Sequence, residues 1–180
     1  MSTLVNNNAS DKILSFFLVH PTRIIHLRSL ARTLSLSPAG ISKALPPLLK
    51  DHLLEIEKPS DTNLTLLKAK REQPFISLKR SFNLHQLSKS GLLPHLIKKY
   101  GKPEAIILFG SYSRGEDTEQ SDIDIAIITK RHLPINISTY EKKLSRKIKI
   151  LELSKENIEK EFWQTLANGI VLYGYLELPL

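Results

Sequence analysis

Residues 105–129 read AIILFGSYSRGEDTEQSDIDIAIIT, and the rest of the chain is best understood from this stretch. Ala105 to Phe109 is an apolar run stopped by Gly110, the pattern of a short buried strand. In Gly110-Ser111-Tyr112-Ser113-Arg114-Gly115, small residues let backbone N–H groups approach an anion, and Ser111 and Arg114 can add donors to it. A polar loop, Glu116 to Ser121, leads to Asp122-Ile123-Asp124-Ile125-Ala126-Ile127-Ile128. Alternate side chains of an extended chain share a face, so Asp122 and Asp124 point one way and Ile123, Ile125 and Ile127 the other. Two adjacent carboxylates repel unless a cation lies between them. Mg²⁺, a hard cation that takes one or two carboxylates together with substrate phosphate oxygens, suits such a pair.

A phosphate-accepting turn followed by a metal-holding strand supplies the parts that nucleotidyl transfer needs, where catalysis is mostly positioning and charge neutralisation. The spaced set Gly110-Ser111-x-x-Arg114-Gly115 and Ser121-Asp122-Ile123-Asp124 resembles the signature of the DNA polymerase β nucleotidyltransferase superfamily, in particular its small minimal nucleotidyltransferase branch. The resemblance runs over roughly the second half of the chain, including the ending Gly169-Ile170-Val171-Leu172-Tyr173-Gly174. It implies a small mixed sheet with helices on one side. It also implies a nucleoside triphosphate such as ATP held by Gly110, Ser111 and Arg114, with Mg²⁺, or Mn²⁺ in its place, on Asp122 and Asp124. Acceptors in the branch include partner proteins. The plain alternative, a solvated acidic turn beside a core strand, leaves the joint match of several spaced elements unexplained.

The superfamily places a third carboxylate on a later strand, where it helps hold the metal and activate the attacking hydroxyl. By the resemblance Lys149 occupies that position, and a charged lysine cannot ligate a metal. Glu152, on the same Lys147–Leu153 strand, is the candidate for the third catalytic acid. Three residues from Lys149 it faces the opposite side of a regular strand, so only a bulge or a different register would bring it round. Glu141 is a weaker candidate.

With 180 residues the chain fits one domain or two small ones. It has no cysteine, which excludes disulfides and thiolate metal sites. No apolar run approaches the roughly 20 residues that span a bilayer, and MSTLVNNNAS lacks a secretory pattern. The expected location is therefore the cytoplasm, away from membranes. The net charge of +8 is uneven: residues 1–100 hold 15 Lys and Arg against 6 Asp and Glu, residues 101–180 hold 11 against 12. A polyanion is expected to meet the first half and a metal the second.

The first half has an order of its own. Asp11 to Val19 repeats apolar residues as a helix would and ends at His20-Pro21. Ile24-Ile25 is extended, and His26 to Leu34 repeats Leu27, Leu30, Ala31 and Leu34 at helical spacing. Ser37-Pro38 reads as an N-cap followed by proline at the first helical position, opening a third helix. Leu53–Glu57 and Leu64–Lys68 flank a turn-rich Lys58–Asn63 segment, as in a hairpin. Helix-turn-helix followed by hairpin resembles the winged-helix DNA-binding fold. That resemblance places Ala39, Ser42 and Lys43 at base edges of double-stranded DNA and Arg28, Arg32, Lys50, Lys58 and Asn63 at the phosphates or wing. A winged helix serving only as a protein-interaction module is the alternative. Pro46-Pro47 should end or bend the recognition helix just after Leu45.

The expected architecture is α+β: a flexible residue 1–10 segment, a winged helix-turn-helix over 11–69, a helical connector over 70–100 and a transferase domain over 101–180. Pro74 to Lys89 carries Phe75, Leu78, Phe82 and Leu87 on one face and Lys79, Arg80 and Lys89 on others. The segment therefore reads either as a connector that fixes the spacing of the two domains and adds phosphate contacts, or as a helix packed on the catalytic domain with a solvated basic face. The six histidines lack metal-ligand spacing, and no nucleophile elbow or P-loop is present. Phe162 and Trp163 read as core of a Lys155–Asn168 helix. A homodimer would match a symmetric DNA site, though no segment declares an interface. The rival to an active transferase is a DNA-binding regulator whose second domain senses nucleotide or only dimerises, and Lys149 is the residue that favours it.

Overall fold

The computed structural model describes residues 8–59 and 64–177. The chain divides into two compact units, Met1–Leu78 and Lys79–Leu180.

In the first unit, α1 (Ala9–Val19) starts at Asn8, whose side chain accepts the Asp11 N–H at 2.8 Å. Then follow β1 (Ile25–His26), α2 (Leu27–Thr33), α3 (Pro38–Lys50), β2 (Leu54–Glu57) and β3 (Leu66–Ala69), with strand order β1-β3-β2, all antiparallel. This is a winged helix-turn-helix. Its core comes from the apolar faces of α1, α2 and α3, with Ile13, Phe17, Leu30 and Ile41 fully buried beside Leu54 and Leu67 of the wing strands. Ser37 caps α3 by accepting the Gly40 N–H at 2.9 Å, and Pro38 takes the first turn.

The helix does not end at Leu45: α3 continues through Pro46 and Pro47 to Lys50. The two prolines remove the N–H partners of the Ser42 and Lys43 carbonyls, but the Ser42 and Lys43 side of the helix is exposed, so water reaches it. Burial of Ile41, Ala44, Leu45 and Leu48 on the other side holds the helix on course.

α4 (Gln73–Ser90) contains the boundary between the units, and α5 (Leu92–Tyr100) follows it. The second unit is a mixed four-stranded sheet of β4 (Ala105–Phe109), β5 (Ile123–Ile128), β6 (Ile148–Leu153) and β7 (Ile170–Gly174), in the order β6-β5-β4-β7. Of these pairings, β5 with β6 is parallel and the others are antiparallel. Between the strands lie α6 (Gly110–Arg114), α7 (Ser138–Leu144), a 3₁₀ turn (Lys155–Asn157) and α8 (Lys160–Ala167). One sheet face, with Ile106, Leu108, Ile123, Ile125 and Ile127, packs on Leu87 of α4, Leu92, Leu96 and Tyr100 of α5, and α7. The other, with Ala105, Ile107, Phe109, Ala126 and Ile128, packs on Leu166 and Phe162 of α8. Thus α8 adds a layer on the second face, and that is the face on which Asp124 alternates with Ala126 and Ile128. Gly174 ends β7 because its φ of 73° and its closeness to the Glu104 backbone leave no room for a Cβ.

Candidate active site

β4 delivers the chain to Gly110, which turns with φ 74°. A Cβ there would lie 2.5 Å from Asp124 Oδ2, so both the backbone conformation and the neighbouring carboxylate require glycine. Asp124 is opposite Phe109 in the β4–β5 ladder and opposite Lys149 in the β5–β6 ladder. Asp122, two residues earlier, shares its face. The Lys149 ammonium lies 2.6 Å from Asp122 Oδ2 and is held charged by that hydrogen bond and charge. Burial pushes Asp124 above the usual carboxylate range, Lys149 draws it back, and Asp122 adds to the rise.

The Gly110–Gly115 turn is a single helical turn, α6, closed by Ser113 Oγ donating to the Gly110 carbonyl at 2.8 Å and by Gly115 with φ 77°. Ser111 is half-buried at its start. Arg114 is exposed and its Nε donates to Glu116 Oε2 at 2.7 Å, so the guanidinium is paired beside the turn.

Beneath the following loop lies a buried polar cluster that the pattern of residues did not disclose. Asp117 is fully buried, with Oδ2 2.9 Å from the ammonium of Lys79, itself 1% exposed. Asn83, one helical turn along α4, donates from Nδ2 to Asp117 Oδ1 at 2.7 Å and to the Tyr112 carbonyl at 2.9 Å. Arg146 Nη2 is 3.9 Å from Asp117 Oδ2. The expectation of Lys79 on a solvated basic face of the connector is therefore corrected: burial pushes its ammonium pKa down and Asp117 works against that shift. The cluster ties the loop between α6 and β5 to α4 and so fixes where Asp122 begins. A cleft of about 530 Å³ runs from Asp122 and Ser121 past Glu141 to Arg146 and Lys147.

Glu152 is not brought to the aspartates. It pairs across from Ile127 on the opposite face, where Tyr100 Oη and the Leu133 N–H (2.9 Å) donate to Oε1 and His132 Nδ1 lies 3.0 Å from Oε2. No bulge interrupts the β5–β6 register to turn it round. Burial pushes its carboxyl up, but the Leu133, Tyr100 and His132 contacts together hold it below the usual value of 4.5. The carboxylate therefore stabilises the fold above pH 4.5, and that contribution is lost as pH falls through the lowered native value. Glu152→Gln is expected to lessen the acid-side dependence and to leave Mg²⁺-nucleotide affinity within about twofold, a free-energy change of under half a kcal/mol; unfolding and binding titrations on the acid side and at neutral pH check both. Glu141 instead accepts the Ile148 N–H at 3.1 Å.

In the first unit Arg28, Arg32, Ala39, Ser42, Lys43, Lys50 and Lys58 lie at the surface. Ser42 Oγ donates locally to the Pro38 carbonyl at 3.1 Å. On the wing strands Lys68 bridges Glu55 and Glu57 at 3.4 and 3.2 Å. Asn63 lies outside the described residues.

Residues 92–177 match the family model described as "Polymerase beta, Nucleotidyltransferase". This part of the chain is a polymerase β-type nucleotidyltransferase domain. Two proteins of Methanocaldococcus jannaschii, each named "Putative protein adenylyltransferase" (MJ1379 and MJ0604), are similar to the chain. MJ1379 is 39% identical over 66 residues, covering 37% of this chain and 66% of that protein. MJ0604 is 62% identical over 34 residues, covering 18% and 34%. The chain thus spans just under two thirds of one relative's length and about a third of the other's. Among solved structures, a mutant of Lactococcus lactis ZitR overlaps with a TM-score of 0.38 at 16% identity, covering 56% of this chain and 66% of that one. The adhesin competence repressor AdcR of Streptococcus pyogenes gives 0.36 at 18%, covering 54% and 69%. Overlap at that level carries no argument; the winged helix rests on its element order and strand pairing. No described helix is long and apolar enough to cross a membrane.

Among the described residues of the nucleotidyltransferase domain, no three acids or histidines converge on a metal position. Asp122 and Asp124 nevertheless fit Mg²⁺, which needs only one or two carboxylates when substrate phosphates complete its shell. The Lys149 ammonium already sets a positive charge on the Asp122 carboxylate.

Proposed function

We propose that the chain is a Mg²⁺-dependent nucleotidyltransferase that moves a nucleoside monophosphate from a nucleoside triphosphate to an acceptor hydroxyl, and that its winged helix binds double-stranded DNA. The observation that carries the reading is Asp124 set against the Gly110 turn, with Asp122 just before it in the chain and both next to Lys149 of the neighbouring strand. Gly110 and Ser111 offer backbone N–H groups and a hydroxyl to the triphosphate, and Arg114 exchanges Glu116 for phosphate. Asp122 and Asp124 hold Mg²⁺, which supplies charge neutralisation at the phosphate oxygens. An acceptor oxygen bonds to the α-phosphorus as the bond to pyrophosphate breaks, and the hydroxyl proton leaves to water. The names of the two relatives suggest ATP as donor and a protein as acceptor. Exposed Arg28, Arg32 and Lys58 suit DNA phosphates, and Ala39, Ser42 and Lys43 suit base edges. In the division of labour, residues 11–69 serve DNA, while transfer takes 101–180 with the core helices of the 70–100 segment, whose Leu87, Leu92, Leu96 and Tyr100 pack on the transfer sheet.

ATP labelled at the α-phosphate tests the reading. Wild type should label a protein acceptor in a Mg²⁺-dependent way, while γ-label should not transfer. Asp122→Asn with Asp124→Asn should lower the rate at least about 10³-fold, the scale of several kcal/mol of lost charge stabilisation. Transfer that survives the double substitution contradicts it. A second reading, a DNA-binding regulator that senses nucleotide without transferring it, is favoured by Lys149 in place of a third acid and calls for nucleotide binding with no label transfer.

A further inference from the structure

Lys149 is a cation at the strand position where the resemblance to the polymerase β superfamily implies a third acid. It lies opposite Asp124 in the parallel β5–β6 ladder, and its ammonium touches Asp122 at 2.6 Å. Of its side chain, 66% is exposed, so burial does not fix it in this contact, and its flexible four-carbon stem lets it swing. The two aspartates carry two negative charges, and Lys149 already answers one. When Mg²⁺ takes both carboxylates, the ammonium faces a divalent cation and loses its partner. The anion that would arrive with Mg²⁺ is the phosphate chain, which offers the freed ammonium a new negative partner.

Resting on the proposed nucleotidyltransferase reading, we infer that Lys149 is a nucleotide-binding residue that exchanges Asp122 for a phosphate oxygen of the incoming nucleoside triphosphate. The exchange makes metal and nucleotide bind together: the ammonium opposes Mg²⁺ alone and favours Mg²⁺ that brings phosphate. A carboxylate at the same position would do the reverse, strengthening Mg²⁺ alone and repelling the phosphates. The domain is thereby built to take the metal with its nucleotide and not before it.

Calorimetric titration of the full chain with MgCl₂ alone and with MgATP tests this, using wild type, Lys149→Met, Lys149→Arg and Asp122→Asn/Asp124→Asn. Lys149→Met should bind Mg²⁺ alone severalfold more tightly and MgATP about 10-fold or more weakly, the scale of one lost charge-assisted hydrogen bond. Lys149→Arg should keep most of the MgATP affinity. The residue is exposed, so these variants should share the wild-type melting midpoint. Equal or tighter MgATP binding by Lys149→Met would overturn the inference while leaving the nucleotide site intact. MgATP binding by wild type that does not depend on the two aspartates would overturn the underlying reading, and the inference with it.

Discussion

Lys79→Met should cost about 3–5 kcal/mol of stability, the range for leaving one member of a buried ion pair without its partner. Methionine keeps most of the length and volume of the lysine stem, so packing changes little and the loss falls chiefly on Asp117, with Asn83 Oδ1 losing the ammonium 3.3 Å away. That carboxylate is fully buried and 2.9 Å from the ammonium; afterwards it retains the Asn83 amide and a guanidinium 3.9 Å away. The single tryptophan, Trp163, lies buried in the nucleotidyltransferase domain, so its fluorescence on heating reports this unit. A fall of at least about 10 °C in the midpoint is expected, at roughly 4–8 °C per kcal/mol for a domain near 100 residues. Lys79→Met/Asp117→Asn should recover part of the loss, because the uncompensated buried charge is gone while a side-chain oxygen still accepts from Asn83. An unchanged midpoint for the single variant, or a double variant worse than the single, contradicts the assigned role of the pair.

Gly110→Ala should act on the site more than on the fold. Alanine at φ 74° costs about 1–2 kcal/mol from backbone conformation alone. The new methyl would also sit 2.5 Å from Asp124 Oδ2, and the carboxylate must move to admit it. Gly91→Ala separates the two effects, since Gly91 has φ 81° and nothing within 4 Å of its added Cβ. Both variants should lose similar stability, but only Gly110→Ala should weaken MgATP binding, by about tenfold or more, as displacement of a ligand by a fraction of an ångström does. Equal MgATP affinity in the two variants would show that Asp124 tolerates displacement and does not hold the metal.

The features legible in the sequence are those whose cause is local. Period-two alternation put Asp122 and Asp124 on one face and the isoleucines on the other, because a strand has no other periodicity. The odd step from Lys149 to Glu152 separated them across the sheet for the same reason. Ser37-Pro38 announced α3 through capping chemistry contained in a few adjacent residues. Helix α3 running on through Pro46-Pro47 was not legible, since the decision lies with Leu45 and Leu48 packing in the core and with carbonyls open to water, which the local rule for proline ignores. The burial of Lys79 has no local signature, because its partner, Asp117, comes much later in the chain; a lysine and an asparagine one helical turn apart announce no buried acid. The α8 layer on the second sheet face was likewise a matter of tertiary placement.

Calorimetry with MgATP and Mg²⁺-free ATP, on wild type and Asp122→Asn/Asp124→Asn, tests the central claim most directly because it needs no acceptor. Wild type is expected to bind ATP in a manner that requires Mg²⁺, and that binding should disappear in the double variant. Absence of wild-type binding at millimolar MgATP, or equal binding with and without the aspartates, would contradict it.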